Sequence, residues 1–212
     1  LQPDGSMARD EHTFWQTQFG PVVVPSPLIP WSLSTAYALT DVNLENDRGF
    51  RQYVEMGQAR DLGELRSALE RHVGLPWVNT VAADSSGNAF YGDIGSIPNV
   101  SNAKLASCSN SPIALFLATL RVYTLDGSTS ACDPGTDADA PVPGVFGASN
   151  LPGLMRRDFV QNSNDSYWLA NPAERLEGFS RIIGNDEQSP QGLRTRLGLR
   201  QIYDRDAGVD DL

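Results

Sequence analysis

Residues 77–94 read WVNTVAADSSGNAFYGDI, and the reading of this stretch decides the fold class. WVNTVAAD supplies a strand-forming run, Asp84-Ser85-Ser86-Gly87 supplies turn residues, and NAFYGDI supplies a return run, which predicts a β-hairpin. Immediately upstream the pattern becomes helical. Asn46 or Asp47 is placed to cap a helix that carries Phe50, Tyr53, Val54 and Met56 and ends around Gly57 to Ala59. Asp61, with Glu64 three residues on, resembles a capping box with aspartate as the cap. It opens a second helix whose Leu62, Leu65 and Leu69 share one face, and Gly74 is its natural stop. His72, near that C-terminus, reads as a capping or dipole-stabilised residue rather than as a catalytic base. Helices beside a hairpin make the class α+β.

Further out the pattern weakens. Strands are expected near 11–18, at 21–24 between prolines, and over 31–43 leading into a polar turn. Residues 95–153 are rich in Ser, Pro, Gly, Ala and Asp, with one apolar island at 113–123 (IALFLATLRVY), and read as a surface excursion. The acidic run DPGTDADAP, 133–141, lacks the glycine and final glutamate of a calcium loop and reads as solvated loop. A helix is expected over LRTRLGLRQI, with the pattern breaking off at DRDAGVDDL. No internal repeat and no second independent core is visible.

A chain of 212 residues is long enough to bury a proper core. Its formal charge of −10 argues against a duplex nucleic-acid partner, which would require a basic stripe. No apolar run is long enough to span a membrane. Only Lys104 among the basic residues is a lysine, a skew with no chemical reading. Cys108 and Cys132 admit two readings, a disulfide or two free buried thiols, with the disulfide preferred. Closing that loop would add about 3 kcal/mol in the chain-entropy description and would place the protein outside the reducing cytosol, secreted or periplasmic. Zinc would require more thiols or nearer histidines than His12 and His72 provide. The nucleophile elbow of serine hydrolases is missing around Ser96 and Ser149, and phosphate-loop, dinucleotide and metalloprotease patterns are absent. No cofactor or metal is expected.

What remains is QNSNDSYWLANP, 161–172, a run of short amides that compete with the backbone for hydrogen bonds and so avoid regular helix. Neutral amide donors suit a developing oxyanion. The bland alternative is a polar loop whose asparagines satisfy their own backbone, as Asx-turns do.

Taken together, DFVQNSNDSYWLANP (158–172), GLPWVNTVAADSSGNAFYGD (74–93), FGPVVV (19–24), AYALTDVNLEN (36–46) and LRTRLGL (193–199) resemble the β subunit of the penicillin acylase family, in particular its aculeacin-type and acyl-homoserine-lactone members. The likeness runs in order along nearly the whole chain and thins between about 95 and 150. It implies part of an αββα N-terminal-nucleophile hydrolase sandwich, incomplete without the segment that bears the nucleophile. Within it, 1–20 would end a small β-rich knob, 21–94 would hold sandwich strands and helices, and 154–212 the oxyanion loop and following helix.

The implied chemistry is hydrolysis of the amide of an N-acyl substrate, such as a lipopeptide, an acyl-homoserine lactone or a penicillin-like compound. A new N-terminal serine would attack, with its own α-amine as base. By the resemblance, Asn164 donates its side-chain amide to the tetrahedral oxyanion, Arg194 organises that asparagine and the nucleophile's amine, and Asn162 and Asp165 hold the loop in shape. Tyr53, Trp77 and Val78 would line the acyl pocket; the alternative is that all three are ordinary core residues. Leu1 is not a nucleophile, so the chain is expected to begin inside the β subunit and stop before its end, and to be inactive alone. Expected partners are the α subunit and the remaining β-subunit segments. A non-catalytic binding module built on the same sandwich is the other reading.

Overall fold

A computed structural model describes residues 7, 11–184 and 187–206, and the chain divides into two compact units, 1–41 and 42–212. In the first, β1 (Gln16–Thr17) pairs antiparallel with β2 (Gly20–Pro21). A bridge joins Val22 to Ala38, and the Val23 N–H donates to the Tyr37 carbonyl at 2.7 Å. The long strands expected over 11–18, 21–24 and 31–43 are therefore reduced to two-residue pairs and a single bridge. Pro21, Pro25, Pro27 and Pro30 lack an N–H, and a ladder cannot propagate through them. Indole hydrogen bonding helps to hold the unit: Trp31 Nε1 donates to the Val23 carbonyl at 2.9 Å.

The second unit opens with two packed helices, α1 (Arg48–Gln58) and α2 (Leu62–His72). The Asp61 carboxylate accepts the Glu64 N–H at 2.8 Å, as the capping box predicts. The Glu64 carboxylate reaches back to the Arg60 N–H at 2.9 Å. Leu62, Ala68 and Leu69 are buried, so α2 presents the expected apolar face to the core. The stop differs from expectation. Val73, not Gly74, takes the left-handed position with φ 42°, an uncommon conformation for a β-branched residue. Gly74 is needed elsewhere: a Cβ on it would stand 2.7 Å from the Gly49 nitrogen, so only glycine lets the chain cross α1 this closely.

The start of α1 also differs. Asp47 occupies the cap position without a side-chain cap bond, and Asn46 instead donates to the Gly74 carbonyl at 2.8 Å. Gln52 is fully buried and its Oε1 accepts the Gly74 N–H at 2.6 Å, while Phe50, Tyr53 and Val54 are exposed. The inner face of α1 thus carries a backbone clamp in place of an apolar stripe. His72 Nε2 lies 2.9 Å from Glu55 Oε1, so its imidazole joins α1 to α2 in addition to ending the helix.

The hairpin forms as read. β3 (Thr80–Ala83) pairs antiparallel with β4 (Ala89–Gly92), and β5 (Gly153–Arg156) adds to the far side of β4. Val81 faces Tyr91, and Tyr91 faces Leu154. Gly87 supplies the turn's positive φ of 79°, and the Asp84 carboxylate accepts the Ser86 and Asn88 N–H groups. As the central strand, β4 is covered on both faces, and Phe90 and Tyr91 are both fully buried. Around them lie Leu69, Leu75, Ile94, Phe146, Leu151, Leu154, Tyr167 and Ile183.

Between β4 and β5, residues 95–153 carry α3 (Asn102–Cys108) and α4 (Pro112–Thr119), and place Val100, Val145, Phe146 and Leu151 in buried positions. Cys108 and Cys132 are joined as a disulfide, and the Lys104 ammonium donates to the Asp133 carbonyl. The acidic run is not a solvated loop, as expected, but folds onto residues 147–150. Asp137 Oδ2 accepts from the Gly147 N–H and the Asn150 side chain, both at 2.8 Å, and Asp139 Oδ2 accepts the Ser149 N–H at 2.9 Å. Backbone amides of a short 3₁₀ turn replace the cation or water that an acidic loop otherwise needs. The described part of the unit ends with α5 (Leu193–Asp206). No helix among the described residues is long and apolar enough to cross a membrane.

Candidate active site

Residues 158–172 leave β5 and form a loop closed at its base by amides. The fully buried Asn171 donates to the Phe159 carbonyl at 2.8 Å and to Asp158 Oδ1 at 3.1 Å. Gln161 donates its N–H to the Ala170 carbonyl at 2.9 Å and its side-chain amide to the Leu169 carbonyl at 2.6 Å. Arg156 pairs with both Asp158 and Glu174, at 2.8 and 2.7 Å, and its guanidinium holds the Asp158 carboxyl well below the usual carboxylate range. The loop base is therefore braced by charge-assisted bonds.

At the tip, Asn162 does what an Asx-turn residue does. Its Oδ1 accepts the Asn164 N–H at 2.7 Å and the Asp165 N–H at 3.3 Å, and its Nδ2 donates to the Asp165 carbonyl at 3.1 Å. This turn places Asn164 at φ 59°, in the left-handed region that asparagine tolerates better than other side-chain-bearing residues. Asn164 is exposed, and no described residue hydrogen-bonds to its side-chain amide. Of the four amides Gln161, Asn162, Asn164 and Asn171, three support the loop. The fourth is held out by it.

Tyr91 joins this loop to the hairpin. The Asn162 amide donates to the Tyr91 hydroxyl at 3.4 Å, and Tyr91 lies on β4, the strand paired with β3 just after Asn79. The segment bearing Trp77 and Val78 leads directly into β3, so the hairpin that follows it and the amide loop are joined at one buried phenol. Burial, reinforced by the Asp93 charge, raises the Tyr91 pKa and keeps it neutral. Asp93, at the end of β4, has its own carboxyl pushed up to about 7 by burial. Trp77 stands at φ 56° and is 88% exposed; Tyr53 and Val78 are 57% and 44% exposed. None of the three is buried within this segment.

Arg194 sits exposed on the first turn of α5, and the structure ties that turn to the loop through Asp165. Asp165 Oδ2 accepts the Gly192 N–H at 2.7 Å and the Thr195 hydroxyl at 3.0 Å. No hydrogen bond joins Arg194 to Asn164 among the described residues. Thus the structure brings together the elements bearing Asn164, Arg194, Trp77 and Val78, while Tyr53 stands on α1. Reading the sequence missed Tyr91 and Thr195. Tyr91 looks like any strand aromatic, and the cap of α5 comes from 27 positions upstream, beyond the reach of local capping rules. No group of three or more His, Cys, Asp or Glu residues that could hold a metal occurs among the described residues.

Comparison with known proteins shows the family of the chain. The penicillin amidase family model matches residues 2–211. The chain is 50% identical over 200 residues to the aculeacin-A acylase of Actinoplanes utahensis, covering 94% of this chain and 25% of that protein. It is 43% identical over 201 residues to the acyl-homoserine lactone acylase PvdQ of Pseudomonas fluorescens strain Pf0-1, covering 95% of this chain and 25% of the relative. It is 41% identical over 210 residues to the PvdQ acylase of Pseudomonas putida, covering 99% of this chain and 26% of the relative. The chain thus spans about a quarter of the length of the curated relatives it matches. By the extent of that match, the chain belongs to the penicillin amidase family.

Proposed function

We propose that the intact protein is an acylase that hydrolyses the amide bond of an N-acyl substrate, releasing a carboxylic acid and an amine, and that this segment supplies its oxyanion donor. The observation that carries the reading is Asn164, an unengaged neutral donor held at φ 59° by a loop whose other amides are committed to structure. Amide hydrolysis develops negative charge on the former carbonyl oxygen, and a pre-aimed neutral amide stabilises it with no reorganisation at the moment of reaction. A lysine there would bring a heavier desolvation cost. Support comes from relatives named as acylases over the whole of the matched region.

In this reading the serine nucleophile and the α-amine that takes its proton lie elsewhere in the protein. An α-amine with an ordinary pKa of about 8 accepts that proton at neutral pH without a histidine. Arg194 orients Asn164 and the amine from the first turn of α5. Trp77 and Val78, with Tyr53, line an apolar pocket for the acyl chain. Lipopeptides and acyl-homoserine lactones are the substrate classes that the relatives' names suggest. The segment completes an αββα sandwich with an α subunit and the remaining β-subunit segments of one self-cleaving precursor. The Cys108–Cys132 disulfide supports an oxidising compartment, secreted or periplasmic.

The test is the full-length protein offered N-acyl substrates of graded chain length, with acid and amine quantified. Equal yields of the two are expected, with Trp77→Ala impairing long acyl chains much more than short ones. Failure to release acid from any acyl amide by the correctly processed protein would refute the reading.

A further inference from the structure

We infer that Asp165 is a positioning residue that locks the loop bearing Asn164 to the helix bearing Arg194, so that the two groups enter the site as one preset unit; this rests on the oxyanion reading above. The residue before α5 is Gly192, whose carbonyl accepts the Arg196 N–H at 3.1 Å but which has no side chain of its own to brace the helix start. Asp165 provides that brace from the loop. Its Oδ2 accepts the Gly192 N–H at 2.7 Å and the hydroxyl of Thr195, which is 1% exposed, at 3.0 Å. Its Oδ1 accepts the Ser166 N–H at 2.9 Å, so one carboxylate fixes both the loop and the helix.

The packing agrees with that role. An ideal Cβ on Gly192 would stand 3.0 Å from Asp165 Oδ2, and one on Gly198 would stand 3.6 Å from Ser163 Oγ. Residues 192, 195 and 198 therefore form the helix face turned to the loop. Arg194 lies about 40° round the helix from Gly198 at 3.6 residues per turn, on the flank of that face. Asn164 sits between the two residues, Ser163 and Asp165, that touch it. A shift of α5 against the loop changes the relation of the Asn164 amide to Arg194 with no change in either residue. A carboxylate suits this junction because the helix N-terminus carries partial positive charge.

The test is a double-mutant cycle in the full-length protein, checked first for correct processing. Asp165→Ala is expected to lower kcat on the order of tenfold to a hundredfold, the size of effect that a displacement near 1 Å produces, with KM within about twofold. Asp165→Asn, which keeps an acceptor for the Gly192 N–H, should recover part of that loss. In an Asn164→Gly background the same Asp165→Ala change should cost less than about twofold more, because the donor it positions is gone. A full multiplicative loss in that background, or a kcat within twofold of wild type for Asp165→Ala alone, overturns the inference. If Asn164→Gly by itself turns over normally, the oxyanion reading fails first, and the cycle reports that separately. Should Asp165→Ala block processing, Thr195→Val, which removes one bond only, takes its place in the cycle with Thr195→Ser as the rescue.

Discussion

The loop at 133–141 and the loop at 161–166 are both short, polar and rich in aspartate or asparagine, and they have opposite uses. In the first, every carboxylate given a partner is turned inward: Asp137 and Asp139 take the amides of residues 147, 149 and 150. Gly147 is required there because a Cβ would collide with the Asp139 carboxylate. In the second, Asn162 and Asp165 are committed in the same way, but Asn164 between them is held out with its amide unengaged. A polar loop is structural when all its side chains close onto backbone. It becomes a candidate site when the closure of its neighbours leaves one donor aimed outward.

The sharpest way to break this contrast is at Asn164. Glycine accepts φ 59° without strain, so Asn164→Gly removes the amide and leaves the turn. Turnover of the intact enzyme should fall about a hundredfold or more, roughly 3 kcal/mol in the barrier, with thermal stability nearly unchanged. Normal turnover, measured by acid release, would remove the contrast between the loops.

Asp93 extends the comparison to an unengaged carboxylate. No described group hydrogen-bonds to its oxygens, and burial pushes its pKa up to about 7. Because the folded state holds the proton more tightly than the unfolded chain, its favourable contribution is fully present below about pH 4 and is lost as pH rises through about 7. Asp93→Asn in the intact protein should flatten the dependence of stability on pH over that window and stabilise it by up to a few kcal/mol at pH 8. Denaturation midpoints at pH 4, 6 and 8 decide this; an unchanged pH slope would contradict it.

Asp137 supplies the control for the acidic loop. Burial raises its pKa, but hydrogen bonds from Asn150 and Gly147 outweigh that and hold it below the ordinary value. Asp137→Ala leaves the buried Gly147 N–H without its acceptor, so stability should fall by about 1–3 kcal/mol while turnover per folded molecule stays the same. A loss of turnover at unchanged stability would mean that both loops are functional.

The smallest expected effect is at the Tyr91 phenol. Tyr91→Phe keeps the ring in the core and removes the hydroxyl that accepts from Asn162. A few-fold loss of kcat is expected, about 1 kcal/mol, and it should be larger for long acyl substrates than for short ones. A loss equal across chain lengths would place the effect in the loop alone.

Local chemistry made much of this legible. The hairpin at 80–92 and the capping box at 61–64 follow from alternation, turn residues and spacing, and both formed as read. Asn164 and Arg194 were marked by likeness of motif. The unit at 1–41 shows where such reading stops: Val22-Val23-Val24 has strand propensity, but prolines on either side leave it one bridge.

What the sequence by itself determined is therefore the α+β class, the start of α2 and the existence and turn of the hairpin, and the amide-rich composition of the loop. These depend on contacts within a few residues, which periodicity and caps encode. Only the tertiary structure decided which amides are engaged, that Gln52 is buried while Phe50 and Tyr53 face outward, that the acidic run folds inward, and that Asp165 caps a helix 27 positions away. Each of these turns on a partner brought close by packing. A polar side chain's role is set by whether such a partner reaches it, and composition carries no record of that.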